Sequence, residues 1–135
     1  MSLTITPLYA GIMALMLVVL SVRVVNIRRS LRVPIGDGGS RLLLRRIRAQ
    51  ANFAEYVPMT ILLMALAELQ GVPVWIIHLI GLMLLVGRIV HSSNISRESE
   101  TIAIRVVGMV FTFNAVIFAA LANIGFAIWF AFGGA

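Results

Sequence analysis

The chain has 135 residues, of which 61% are hydrophobic and only 12% are charged. Soluble domains carry about a quarter charged residues, so this composition excludes an ordinary soluble domain and indicates an integral membrane protein. Cysteine is absent, which excludes disulfides, thiolate metal sites and a cysteine nucleophile.

The net charge of +6 could suggest nucleic-acid binding, but the placement of the charge indicates otherwise. All eleven basic residues are arginine, and seven of them lie between the first two apolar runs. Cytoplasmic loops of membrane proteins carry such excess charge, so we expect no nucleic-acid partner. His78 and His91 fall on different helix faces, so we expect no metal site either.

Taken in order, the apolar runs predict an all-α, four-span bundle filling a single domain, residues 1–135. The first run, Thr6 to Val25, is about 20 residues long, which is enough to cross a bilayer. Pro34 and three nearby glycines then rule out a continuous helix. We expect helices at about 6–28, 41–70, 74–93 and 101–132, with a bend near Pro58 and a stop at Gly71 and Pro73.

The arginines define one side of this bundle. One side of the bundle holds the loop from Arg28 to Arg48, together with the helix ends that carry Arg88, Arg97 and Arg105. The turn on the opposite side and both termini carry no arginine. The positive-inside rule therefore predicts that the arginine-rich side faces the cytoplasm and both termini lie outside.

The second helix carries a charged stripe into its apolar part. Projected at about 100° per residue, Arg45, Arg48, Asn52 and Glu55 fall on one narrow face, with Tyr56 at its edge. A carboxylate at this depth needs a partner and should face the protein interior. Two interpretations stay open: an internal salt bridge between Glu55 and an arginine, or a pocket for a small zwitterion whose carboxylates bind arginine and whose ammonium group binds Glu55.

Three motifs carry a resemblance to a known family. RAQANFAEYVP, preceded by NIRRSLRV and followed by GRIVH, resembles the membrane-associated eicosanoid and glutathione metabolism (MAPEG) family, and the GDGG loop resembles its small bacterial branch. The family includes microsomal glutathione transferases and leukotriene-C synthase. The resemblance implies a homotrimer in a bacterial inner membrane, with glutathione as cosubstrate held between subunits near the cytoplasmic surface.

The resemblance also implies roles for individual residues. Ten side chains are expected to hold or activate glutathione: Arg28, Arg29, Arg45, Arg48, Asn52, Glu55, Tyr56, Arg88, His91 and Arg105. Arg48 and Asn52 would hold the carboxylate and backbone groups of glutathione, Glu55 its ammonium group, and Tyr56 would pack on the tripeptide. Arg28 would come from the neighbouring subunit, and Arg88 with His91 would close the far side. Arg105 is the first candidate for activating the thiol and Arg29 the second.

The resulting hypothesis is a glutathione transferase or peroxidase acting on a lipophilic small molecule dissolved among the membrane lipids. That substrate would enter along the first and fourth helices, where Phe111, Phe113 and Phe118 lie, although these aromatics also suit ordinary packing. A non-catalytic glutathione- or lipid-binding protein stays open, because Ile95 stands where eukaryotic relatives often carry tyrosine and the start of the fourth helix has no tyrosine. A small multidrug transporter fits less well, since apart from Glu55 we expect no acidic side chain deep in the bundle.

Overall fold

The computed structural model describes residues 2–95 and 101–133, and this part of the chain is all-α. It forms four helices: α1 (Thr6–Leu31), α2 (Arg41–Leu69), α3 (Val74–Ile95) and α4 (Ile102–Ala131). Each helix is long and apolar enough to cross a membrane. The expected all-α membrane bundle is therefore confirmed. Arg97, which the sequence places on the arginine-rich side, lies outside the described residues.

The helix ends follow from local sequence. Ser40 caps α2, where its hydroxyl accepts a hydrogen bond from the backbone N–H of Leu43 at 3.3 Å. α1 is followed by its C-cap residue, Arg32, in the left-handed conformation, and the loop beyond it passes through Gly36 and Gly39 at φ +74° and +77°. These conformations suit glycine, which has no Cβ. α2 continues as one helix across Pro58.

The start of α1 is held by an acidic side chain from α2. The Glu68 carboxylate accepts hydrogen bonds from the backbone N–H groups of Thr4, Ile5 and Thr6 at 2.6, 2.7 and 2.8 Å, and from the Thr4 hydroxyl at 3.0 Å. These are orphan donors at a helix start, where a negative charge is favourable. Glu68 is only 9% exposed, but it lies in the last turn of α2, at the end opposite the arginines, so it is not an acidic side chain deep within the bundle.

α3 and α4 pack closely through two glycines. A Cβ on Gly87 would lie 2.9 Å from the carbonyl oxygen of Gly108, and a Cβ on Gly108 would lie 2.7 Å from the backbone nitrogen of His91. Small residues at the crossing of two membrane helices allow their backbones to approach this closely. The pair formed by α3 and α4 is thereby fixed at the level of His91.

α2 and α3 each contact all three other helices. α2 packs on α1, α3 and α4, and α3 packs on α4 and touches α1, whereas α1 and α4 make no contact within the described residues. The buried core lies between these helices and includes Met13, Phe53, Met64 and Leu84. The route expected for a lipophilic substrate, along α1 and α4, is therefore not a single groove of one chain.

Candidate functional site

An open cavity of about 360 Å³ lies at the arginine-rich end of the bundle. Its walls come from the first two turns of α2, the end of α3 and the first turn of α4. We call it the arginine cavity, and among the described residues it is lined by Arg41, Leu44, Arg45, Arg48, Ile95 and Arg105. Guanidinium groups stay charged at any physiological pH, so four cations border one small space. Such a site attracts an anion.

The spacing along α2 explains why three of these arginines meet. Arg41, Arg45 and Arg48 follow one another at steps of four and three, so they share one helix face. Arg46 lies on another face, where its guanidinium donates to the Arg23 carbonyl at 3.4 Å. Sequence reasoning included Arg45 and Arg48 but missed Arg41. Extending the same spacing back by one turn would have found it.

A buried guanidinium from α3 contacts α2 about one turn beyond Arg48, at Asn52. Arg88 on α3 is 1% exposed and donates from Nη1 to the Asn52 side-chain oxygen at 2.8 Å. Its Nε donates to the Thr112 hydroxyl at 3.1 Å, and its Nη2 lies 3.3 Å from the Met109 sulfur. The guanidinium carbon also lies 5.8 Å from the centre of the Tyr56 ring. Every one of these contacts is with a neutral group, so Arg88 adds positive charge behind the site.

The contact with Arg88 decides how Asn52 is oriented. Arginine can only donate hydrogen bonds, so the Asn52 atom that faces it must be the carbonyl oxygen. The amide nitrogen of Asn52 is then left to donate to another group. Arg88 and Asn52, both expected to touch glutathione directly, are thus brought into contact with each other.

Glu55 and Tyr56 lie on α2, three and four residues beyond Asn52. The Tyr56 ring packs edge-on against Phe113 of α4, with ring centres 5.5 Å apart. Glu55 is exposed, and its carboxylate makes no ion pair within the described part of the chain. The expected interior position of Glu55 is therefore not seen in one chain, and neither is the internal salt bridge.

The remaining expected residues lie elsewhere. Arg28 folds over its own loop, donating to the Gly36 carbonyl at 2.8 Å. Together with Arg29 and Arg32 it lines a second groove, of about 430 Å³, at the end of α1. His91 is 2% exposed at the α3–α4 crossing, with its Nδ1 3.4 Å from the Arg105 carbonyl. One chain therefore gathers Arg45, Arg48 and Arg105 but holds Arg28 and Arg29 apart from them.

Comparison with known proteins places the chain in a family. Residues 6–125 match the family model described as MAPEG. The chain is also 36% identical over 125 residues to the inner membrane protein YecN of Escherichia coli strain K12, an alignment that covers 93% of this chain and 94% of that protein. YecN of Escherichia coli O6:H1 strain CFT073 aligns to the same extent. A family match over residues 6–125, which span all four helices, shows that the chain belongs to the MAPEG family.

Proposed function

We propose that this protein binds glutathione in the arginine cavity and activates its thiol for attack on a lipophilic electrophile or hydroperoxide. The observation that carries this proposal is the meeting of four arginines in one cavity, with Asn52 and Glu55 about one and two turns further along α2 than Arg48. Family membership supports the same class of chemistry, because the family includes glutathione transferases. Its relative YecN is described only as an inner membrane protein.

The residues present match the chemistry of glutathione. That tripeptide carries two carboxylates, one ammonium group, two amide carbonyls and a thiol. Arg41, Arg45 and Arg48 offer charge-assisted, two-pronged hydrogen bonds to its carboxylates. The Asn52 amide nitrogen suits a carbonyl or carboxylate oxygen, and Glu55 suits the ammonium group. Arg88 acts through Asn52, whose amide it orients.

Activation of the thiol requires a cation near the sulfur. An ordinary thiol has a pKa near 8.5, so only a few per cent is ionised at pH 7. Lowering that pKa by two units takes about 2.7 kcal/mol of preferential stabilisation of the anion. Arg105 borders the arginine cavity and Arg29 does not, which favours Arg105 for this role. The nucleophile is then the glutathione sulfur, so the protein needs no cysteine of its own.

Three observations favour completion of the site by a second copy in the proposed homotrimer. Glu55 is exposed at the protomer surface, Arg28 and Arg29 lie in a separate groove, and α1 and α4 do not meet in the described part of one chain. A neighbouring α1 laid against α2 and α4 would bring its Arg28 towards the cavity and cover Glu55. The same contact would form the apolar route for the lipophilic substrate. We place the assembly in the bacterial inner membrane with the cavity facing the cytoplasm.

The proposal is tested by the ultraviolet difference absorbance of thiolate after mixing glutathione with the detergent-solubilised protein. A saturable signal is expected, and it should be lost in Arg48→Ala. Arg46→Ala is the matched control, because it removes the same charge from the same helix without touching the cavity. Arg105→Ala should still bind glutathione by calorimetry but give little thiolate. Normal binding by Arg48→Ala would overturn the site assignment.

A non-catalytic binding protein is the second candidate. Ile95 lines the arginine cavity, where relatives often place a tyrosine hydroxyl, so one polar contact to the ligand is absent. Binding by calorimetry without any thiolate signal in the unmodified protein would favour this candidate.

A further inference from the structure

A third cavity, separate from the arginine cavity and from the groove at the end of α1, runs between α1 and α3. It has a volume of about 310 Å³ and a wall of mainly apolar side chains, including Ile12, Leu15 and Val19 of α1 and Ile89 of α3. One end is polar, where Arg23 of α1 comes level with Ser92 and Ser93 of α3. We call this the α1–α3 groove. Nothing in the proposed glutathione chemistry uses it.

The dimensions of the α1–α3 groove suit a hydrocarbon chain. From Ile12 to Arg23 the wall spans eleven residues of helix, or about 16 Å. Dividing the volume by this length gives a mean cross-section of about 20 Å², whereas a helix about 10 Å wide with its side chains has a cross-section of about 80 Å². The groove is therefore too narrow for a partner helix. An extended acyl chain has the width to fill it and would give its wall the contacts that an empty space lacks.

The polar end of the groove suits a phosphate. Arg23 is the first charged side chain of the sequence and lies eight residues, or about 12 Å, before the end of α1 at Leu31. It is exposed, and its guanidinium makes no hydrogen bond within the described residues. The Ser92 hydroxyl already donates to the Arg88 carbonyl at 2.5 Å, so Ser93 is the hydroxyl left to donate. A cation and a hydroxyl donor at the end of an apolar groove are complementary to an anionic headgroup.

We propose that the α1–α3 groove binds one anionic phospholipid, with an acyl chain along α1 and its phosphate at Arg23 and Ser93. The lipid is bound as a structural ligand, and no chemistry is done on it. Its source is the bilayer itself, and the selectivity for an anionic headgroup resides in Arg23.

The test is native mass spectrometry of the full chain in detergent. Phosphatidylglycerol and phosphatidylethanolamine with identical acyl chains are added separately. The unmodified protein should retain phosphatidylglycerol about fivefold more strongly, as expected for one additional arginine contact. Arg23→Gln should abolish this preference, whereas Arg32→Gln, at an exposed arginine outside the groove, should keep it. Equal retention of the two lipids by the unmodified protein, or an unchanged preference in Arg23→Gln, would overturn the proposal.

A second pair of variants tests the acyl chain. Val18 and Val19 are both exposed, at 58% and 51%, but only Val19 lines the groove. Val19→Trp should reduce retention of phosphatidylglycerol several-fold and Val18→Trp should not. Excess glycerol 3-phosphate, which has the headgroup charge without the chain, should not displace the lipid. Displacement by that compound, or full retention in Val19→Trp, would show that the lipid is not seated in the groove.

Discussion

Glu68→Gln is the substitution that most directly measures what holds α1 in place. The side chain keeps its shape but loses its charge, and one of its two oxygens becomes an NH₂ group. One carboxylate oxygen accepts from Thr4 and Ile5 and the other accepts from the Thr6 N–H. In the least damaging orientation the new NH₂ group faces the Thr6 N–H. Two donors then face each other in place of one hydrogen bond, and the hydrogen bonds from Thr4 and Ile5 weaken because their acceptor is no longer charged.

The expected loss is about 2–4 kcal/mol in the free energy of unfolding. One hydrogen bond to a charged acceptor contributes about 1.5–3 kcal/mol, and the loss of negative charge at the start of α1 adds about 0.3–1 kcal/mol. Unfolding in mixed detergent micelles with increasing dodecyl sulfate, followed by the fluorescence of Trp75 and Trp129, measures this difference. The control is Glu55→Gln, the same chemical change at a carboxylate that is exposed in the single protomer. With any oligomer dissociated by the dodecyl sulfate, it should stay within about 0.5 kcal/mol of the unmodified protein.

The physical argument for this contact would be refuted if Glu68→Gln and Glu55→Gln unfolded alike. That result would mean that water or detergent satisfies the N–H groups of Thr4, Ile5 and Thr6 as well as Glu68 does. Glu68→Ala, which leaves the same donors without any acceptor, should be at least as unstable as Glu68→Gln.

Three further changes test the helix crossing and the site. Gly87→Ala should destabilise the protein by about 1–3 kcal/mol in the same unfolding assay, because its Cβ would meet backbone atoms of α4, whereas Gly125→Ala, with open space around it, should be neutral or slightly stabilising. Arg88→Met should leave the fold intact but weaken glutathione binding about tenfold by calorimetry, because Asn52 loses the donor that orients its amide; unchanged affinity would make Arg88 purely structural. Arg41→Ala should weaken binding about tenfold, and an unchanged affinity would remove Arg41 from the site.

Much of the fold could be predicted because a membrane constrains a sequence strongly. Every spanning segment must satisfy its own backbone hydrogen bonds, so long apolar runs become helices wherever glycine and proline do not interrupt them. The stop at Gly71 and Pro73 and the break from Pro34 to Gly39 are examples, since α2 ends at Leu69 and α1 ends at Leu31. Arg45 and Arg48 could likewise be placed on one face from helical spacing alone.

Contacts between helices could not be predicted in the same way. Nothing in the spacing of α2 shows that Arg88 of α3 points at Asn52, because that contact depends on how two helices are rotated about their axes. Glu68 was missed for a related reason. It lies at the end of an apolar helix, and only the packing of α1 on α2 brings three backbone N–H groups to its carboxylate.

The sequence by itself determined that this protein crosses a membrane four times, that its arginines collect at one end, and that its motifs resemble the MAPEG family. These properties follow from composition, run length and helical period, which are local. The tertiary structure decided which polar groups meet: Arg105 joins the arginines of α2, Arg88 is buried against Asn52, and Glu68 holds the start of α1. Such meetings depend on how neighbouring helices pack and rotate against each other, as in the close approach of α3 and α4 that Gly87 and Gly108 allow, and no pattern within a single helix encodes that geometry.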